Sequence, residues 1–280
     1  APIALDMGLM ITHHHAEPLG AEMFLRAYPD LEPSYLKYKD LFEGLWKDAI
    51  ERRKNEEVIW NIGFRGQGDV PFWENDPAYD TPEKRGNLIS SIMQEQYDMI
   101  RERFPGAVCC TNLYGEILEF YRDGHLQIPE DVIMIWADNG YGKMVSRRQG
   151  NHNPRVPALP QKGDKGLQGT YYHVSFYDLQ AANHITMLPN SMEFVEKELN
   201  DAMDHGITDL WVINASNIKP HVYPLSFIAN LWKKKALTAG EHRKTYIREY
   251  YGADCTEDQL TCMEQCISRY PDAMLSFGER

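Results

Sequence analysis

No apolar run in this 280-residue chain approaches the roughly 18 to 20 residues that a membrane-spanning helix needs. A basic surplus is missing too: 41 acidic side chains stand against 29 basic ones, for a formal net charge of -12. Neither nucleic acid nor a membrane surface is therefore an expected partner. Ala1 to His15 lack the basic stretch, apolar stretch and small-residue cleavage site of a secretory signal, so periplasmic, secreted and cytoplasmic locations all stay open. Cysteine is scarce, five in all, with Cys109 and Cys110 adjacent and Cys262 and Cys266 on one helical face among apolar neighbours. That odd, clustered set points to buried thiols in a reducing compartment, not to a disulfide frame. No repeat of fixed period and no low-complexity tract is visible.

What remains, at 43% apolar and 25% charged, is the composition of a globular domain with a sizeable core. Helical periodicity starts at Ser34 and runs through Tyr35, Tyr38, Leu41, Phe42, Leu45, Trp46 and Ala49. Thr81-Pro82 reads as a cap followed by proline at the first helical position, with Ile89, Ile92, Met93 and Ile100 on the buried stripe. Asn190 with Glu193, and Thr256 with Gln259, have capping-box spacing.

Six short β-branched and aromatic runs fall between these helices: Leu9 to Thr12, Val58 to Ile62, Ala107 to Thr111, Val132 to Trp136, Tyr171 to Val174 and Leu210 to Ile213. Such runs are typical of strands buried on both faces, and their alternation with helices predicts an α/β fold with a parallel sheet. Each run ends in polar or ionisable residues, which in a (β/α)8 TIM barrel is the catalytic face. The fold class expected is thus a (β/α)8 barrel, incomplete here because about six βα units are visible where eight close a barrel. The stretch from Gly140 to Gln168 is too long for an ordinary connection and reads as either a functional loop or a surface excursion.

Within Gly63-Phe64-Arg65-Gly66-Gln67-Gly68-Asp69 the glycines let the backbone bend after a strand, leaving Arg65 and Asp69 to face an opening. A guanidinium grips a carboxylate through paired hydrogen bonds, as a uronic acid would require; the alternative is an internal Arg65–Asp69 ion pair. Glu116, beside Tyr114, is either a carboxyl of raised pKa able to donate a proton or an ordinary helix-start glutamate. Asp138 adds a third carboxylate with the Asn139 amide beside it, and Asp69, Glu116 and Asp138 together supply the acid/base pair of glycoside hydrolysis. His13, His15 and Glu17 alternate along an extended segment in a spacing able to hold a metal, which leaves a metal-dependent hydrolase as a rival. Tyr171, Tyr172 and His173 offer rings and polar tips suited to sugars.

Taken in order, His14-His15 with Glu17-Pro18, Gly63 to Asp69, Leu113 to Tyr121, Trp136-Ala137-Asp138-Asn139-Gly140-Tyr141-Gly142, Tyr171 to Val174 and Trp211 to Asn214 resemble the glycoside hydrolase family 115 α-glucuronidases. The resemblance implies a (β/α)8 catalytic domain, spanning 1–280 here and belonging to a longer multidomain protein. It also implies removal of α-linked glucuronic or 4-O-methylglucuronic acid from xylan side chains or arabinogalactan-type glycans, with inversion and with no cofactor or metal. Carried over, Arg65 holds the uronate, and Asp69, Glu116 and Asp138 form the carboxylate set. Glu116 is favoured as the acid, and the base is Asp69 or Asp138, with Asp69 preferred. His14, His15, Glu17, Asn139, Tyr171, His173 and Asn214 contact the sugar. The family's upstream Asn-Asp-Glu strand has no counterpart here, which leaves a non-catalytic carbohydrate-binding barrel as a third reading. A homodimer, if formed, is expected to pair through domains absent from this chain.

Overall fold

In the computed structural model, residues 2–67, 70–74, 76–146, 155–177, 183–184, 188, 190–233 and 237–273 are described. Five strands form one sheet in sequence order: β1 (Ile59–Asn61), β2 (Val108–Leu113), β3 (Ile133–Ala137), β4 (Gln168–His173) and β5 (Leu210–Asn214). The β1–β2 and β4–β5 pairs are parallel, as their helical connections require. All residues of β3 and β4 are buried, which accounts for the uninterrupted apolar run of β3, while β4 buries Gln168, Thr170 and His173 beside its two tyrosines. The fold is thus a parallel α/β sheet with helical crossovers, a partial TIM-barrel-like arrangement.

The sixth expected strand is not formed. Only Ile11 pairs with Val58, in an isolated parallel bridge, while Leu9 and Met10 remain 54% and 52% exposed. A strand held by one bridge gains too little burial to order its flanks.

The chain divides into two compact units, 1–135 with 163–167 and 136–162 with 168–280. In the first, helix α1 spans Lys39–Arg52 and helix α2 spans Pro82–Arg103. The first helix begins five residues later than its periodicity predicts, because Tyr38 is non-helical and the Tyr35 phenol reaches across to donate to Glu95 on α2 (2.6 Å). Phe24, Tyr35, Phe42, Trp46 and Phe64 pack as one aromatic cluster, with the Phe24 and Phe42 rings stacked at 4.4 Å. The start of α2 is as expected: the Thr81 hydroxyl accepts from the Lys84 backbone and Pro82 opens the helix. Ile89, Ile92, Met93 and Ile100 are buried on its stripe, and Gln96 lies among them with no exposed surface. A short helix, α3 (Glu116–Arg122), follows β2.

In the second unit, helix α4 (Met192–Asp204) is capped by Ser191, not by Asn190 as the spacing predicts. With Ser191 as the cap, Glu193 falls at the second helical position, one short of a capping-box partner, and its carboxylate pairs with Arg243 (3.0 Å). Helices α5 (Val222–Trp232), α6 (Ala239–Tyr251) and α7 (Glu257–Arg269) complete the unit. Thr256 and Gln259 do form the predicted capping box, and an equivalent one at Thr238 and Glu241 opens α6. The expectation of buried thiols holds for Cys109 and Cys110 and fails for Cys262 and Cys266, which are exposed. Among the described residues of α7 only Leu260 is buried, so the helix covers too little surface to hide both sulfurs. In the long connection after β3, the stems pair where Val145 bridges Pro157, and residues 147–154 lie outside the described residues.

Candidate active site

In the first unit the chain leaves β1 through Gly63, whose φ of +143° favours glycine. Gln96 fixes that peptide from both sides: its Oε1 accepts from Gly63 N (2.8 Å) and its Nε2 donates to Gly63 O (3.1 Å). Two residues later the Arg65 carbonyl accepts from Phe72 N (2.6 Å), closing a tight hairpin in which Gly66–Gln67 pairs with Val70–Pro71. Gly66 admits no side chain, since a Cβ there would fall 1.9 Å from Val70 O. With its backbone fixed in this way, Arg65 extends Nη1 to Glu116 Oε2 at 3.0 Å, and the two side chains are 13% and 26% exposed. Glu116 is the first residue of α3, behind Gly115 at φ +56°, so its carboxylate also lies at the positive end of the helix. Asp69, the expected base, lies outside the described residues.

The histidine segment sits on the same unit but does not run extended. It turns at His15 to Glu17, where Glu17 N bonds to His14 O (2.9 Å), and so the expected alternation of His13, His15 and Glu17 is lost. The His13 Nε2 accepts from Arg53 Nε (3.1 Å), which places a cation where a metal ligand would need its lone pair. Burial and then Arg53 lower the His13 pKa, so the ring is neutral. Among the described residues no three His, Cys, Asp or Glu side chains are arranged to hold a metal. His14 accepts from Ala16 N through Nδ1, and His15 stacks on Tyr114 with ring centroids 5.0 Å apart. Glu17 is exposed. An amide relay that sequence reasoning missed ties this segment to the sheet: Asn112 Nδ2 donates to Asn61 Oδ1 (3.1 Å), and Asn61 Nδ2 donates to His13 O (3.0 Å). A buried Asn inside an apolar strand and a Gln on an apolar helical stripe were the available signals.

In the second unit, Asp138 follows directly on β3 and is fully buried. It accepts from the backbone N–H of Gly140 (3.2 Å), Gly142 (2.7 Å) and His173 (3.3 Å), and from the His173 ring through Nδ1. Those contacts fix both of its oxygens and, through them, the orientation of the His173 imidazole. Asn139 likewise uses Oδ1 on its own loop, accepting from Tyr141 N and Lys143 N. Tyr171 and His173 lie on one face of β4 with ring centroids 4.5 Å apart. Asn214, at the end of β5 and in register with His173, donates to the Tyr171 hydroxyl (2.7 Å). On the opposite face the buried Tyr172 phenol has its pKa raised, first by burial and then by Asp138 and Glu198. Arg65, Glu116, Asp138, His173 and Asn214 sit at or just beyond strand carboxyl ends as expected, whereas the strand expected before His13 to His15 is not formed. Arg65 and Glu116 meet in the first unit, and Asp138, His173, Tyr171 and Asn214 gather in the second.

The sequence matches the profile of glycosyl hydrolase family 115 over residues 1–274. This chain belongs to glycosyl hydrolase family 115. No curated protein matches it. Among solved structures it is similar to BtGH115A, described as a novel family GH115 4-O-methyl-α-glucuronidase with specificity for decorated arabinogalactans. The identity is 22% and the TM-score 0.77, over 95% of this chain and 34% of that one. The family 115 chain thus spans about a third of the length of that solved relative and shares its fold over that span. In this family 115 chain the candidate chemistry rests on an arginine–glutamate pair and a buried aspartate–histidine pair, each at strand ends.

Proposed function

We propose that this chain is the catalytic barrel portion of a glycoside hydrolase. The enzyme releases α-linked glucuronic or 4-O-methylglucuronic acid from the side chains of a glucuronoxylan or another uronic-acid-bearing glycan. The observation that carries the reading is the Arg65–Glu116 pair at 3.0 Å, because it sets a carboxylate-binding guanidinium beside a carboxyl able to protonate a glycosidic oxygen. Family membership supports the reaction class. Glu116 is the general acid and Asp69 the base that activates water. Asp138 is sealed from solvent by its donors and acts by holding His173, which with Tyr171 and Asn214 contacts sugar hydroxyls. Asn139 shapes the loop behind them, and His15, stacked on Tyr114, takes part in sugar binding with His14 and Glu17.

With acid and base on opposite faces of the sugar ring, separated by roughly 6.5 to 9.5 Å, water attacks from behind and the anomeric configuration inverts. The test is to incubate the full-length protein with glucuronoxylan and with arabinogalactan, assay the uronic acid released, and follow the first product by proton NMR. β-Glucuronic acid from an α-linked substrate is expected. An α product before mutarotation would assign retention, and no uronic acid from either glycan would reject the activity.

A further inference from the structure

A general acid must hold a proton when its substrate is bound, yet Glu116 rests against a guanidinium and at a helix N-terminus. The cation that holds it, Arg65, is the group that the glucuronidase reading assigns to the substrate carboxylate. Other ionisable groups on or against α3 are engaged elsewhere. Asp164 is bound by Arg122 (2.8 Å) and Tyr121 (3.0 Å), Arg85 of α2 donates to Tyr79 O (2.7 Å), and His15 is stacked on Tyr114. Glu119 lies one turn along α3 and adds a like charge on the same helix.

We infer that the substrate's uronate loads the acid: it takes over the Arg65 guanidinium, and Glu116, left beside a new anion without its counter-cation, takes up a proton from solvent. This rests on the α-glucuronidase reading of the site and adds to it a reason for uronate selectivity. As the C1–O bond breaks, its electron pair stays on the leaving oxygen, which receives the Glu116 proton. The water oxygen bonds to C1 and its proton passes to the general base and then to solvent, so one proton is taken up and one returned. When the free uronate leaves, Arg65 pairs with Glu116 again. A neutral hexoside brings no anion, leaves the Arg65–Glu116 pair closed and meets an acid that lacks its proton.

Calorimetric titration of the full-length protein with glucuronate at pH 6, in buffers of differing ionisation enthalpy, measures this directly. The expected result is uptake of about one proton per glucuronate, with Kd rising about tenfold per pH unit above that point. Glucuronamide, which keeps the shape without the charge, should bind with no uptake, as should glucuronate with Glu116→Gln. Binding of glucuronate without proton uptake, or uptake that persists in Glu116→Gln or with glucuronamide, overturns the loading and leaves the glucuronidase reading in place. Failure of glucuronate to bind at all overturns both.

Discussion

Asp138 and Glu116 both stand at strand ends, in different surroundings. Asp138 is fully buried behind donors from Gly140, Gly142 and His173. Replacing it with Asn turns one acceptor oxygen into a donor that faces other donors. Asp138→Asn should therefore cost about 2–4 kcal/mol of stability, read by urea unfolding. It should also lower kcat, since the imidazole of His173 loses the partner that fixes its tautomer. Glu116 is partly open to solvent and meets a cation. Glu116→Gln keeps its shape and loses the proton, so turnover on xylan should fall about 10²- to 10⁴-fold while an activated aryl glucuronide, with a leaving group that needs little protonation, is spared most of that loss. Equal losses on both substrates would remove Glu116 from the acid role.

The elements hold the site by polar contacts inserted into apolar surfaces. Helix α2 does more than cover the sheet, because Gln96 on its buried stripe supplies both a donor and an acceptor to the Gly63 peptide. Gln96→Leu should leave two buried backbone groups unpaired and cost about 2–5 kcal/mol, measured by chemical denaturation. Released from that latch, the Arg65 loop should bind glucuronate more weakly even where the variant remains folded. The Asn112–Asn61–His13 relay performs a similar service for the histidine segment, joining it to the sheet without a strand. Arg53 secures its far side through His13 and Gly20 O (3.1 Å).

At the scale of the molecule, burial keeps His13 and His242 neutral, and this gives stability a pH dependence of known sign. His13 and His242 both have folded-state pKa values lowered from the ordinary 6.5, burial being the largest cause in each. Between that lowered value and 6.5 the unfolded chain binds protons that the folded chain refuses, so the unfolding free energy rises with pH there. Their contribution is complete above about pH 6.5 and is lost as pH falls towards the folded-state values. Thermal unfolding should show the Tm dropping from pH 7 to pH 5. The slope should shrink in His242→Gln, whose side chain can still hydrogen-bond Ser226, the present partner at 3.0 Å. An unchanged slope would place the acid sensitivity elsewhere.

The strands from β1 to β5 were legible in the sequence to within a few residues, because strands buried on two faces concentrate β-branched, apolar and aromatic residues, as every residue of β3 shows. The sequence by itself determined the Thr81 and Thr256 helix starts, since a cap is decided within one turn of chain. It also placed Arg65, Glu116, Asp138, His173 and Asn214 at strand ends, where polar residues interrupt apolar runs. Only the tertiary structure decided which of these meet. Arg65 found Glu116, 51 residues away, and Asp138 found His173, 35 residues away, through strand pairing that no local pattern encodes. Long-range contacts also competed with local signals, drawing Tyr35 to Glu95 and Glu193 to Arg243. Exposure was equally out of local reach, because the surface that Cys262 and Cys266 present depends on what packs against α7 and not on the spacing of its own side chains.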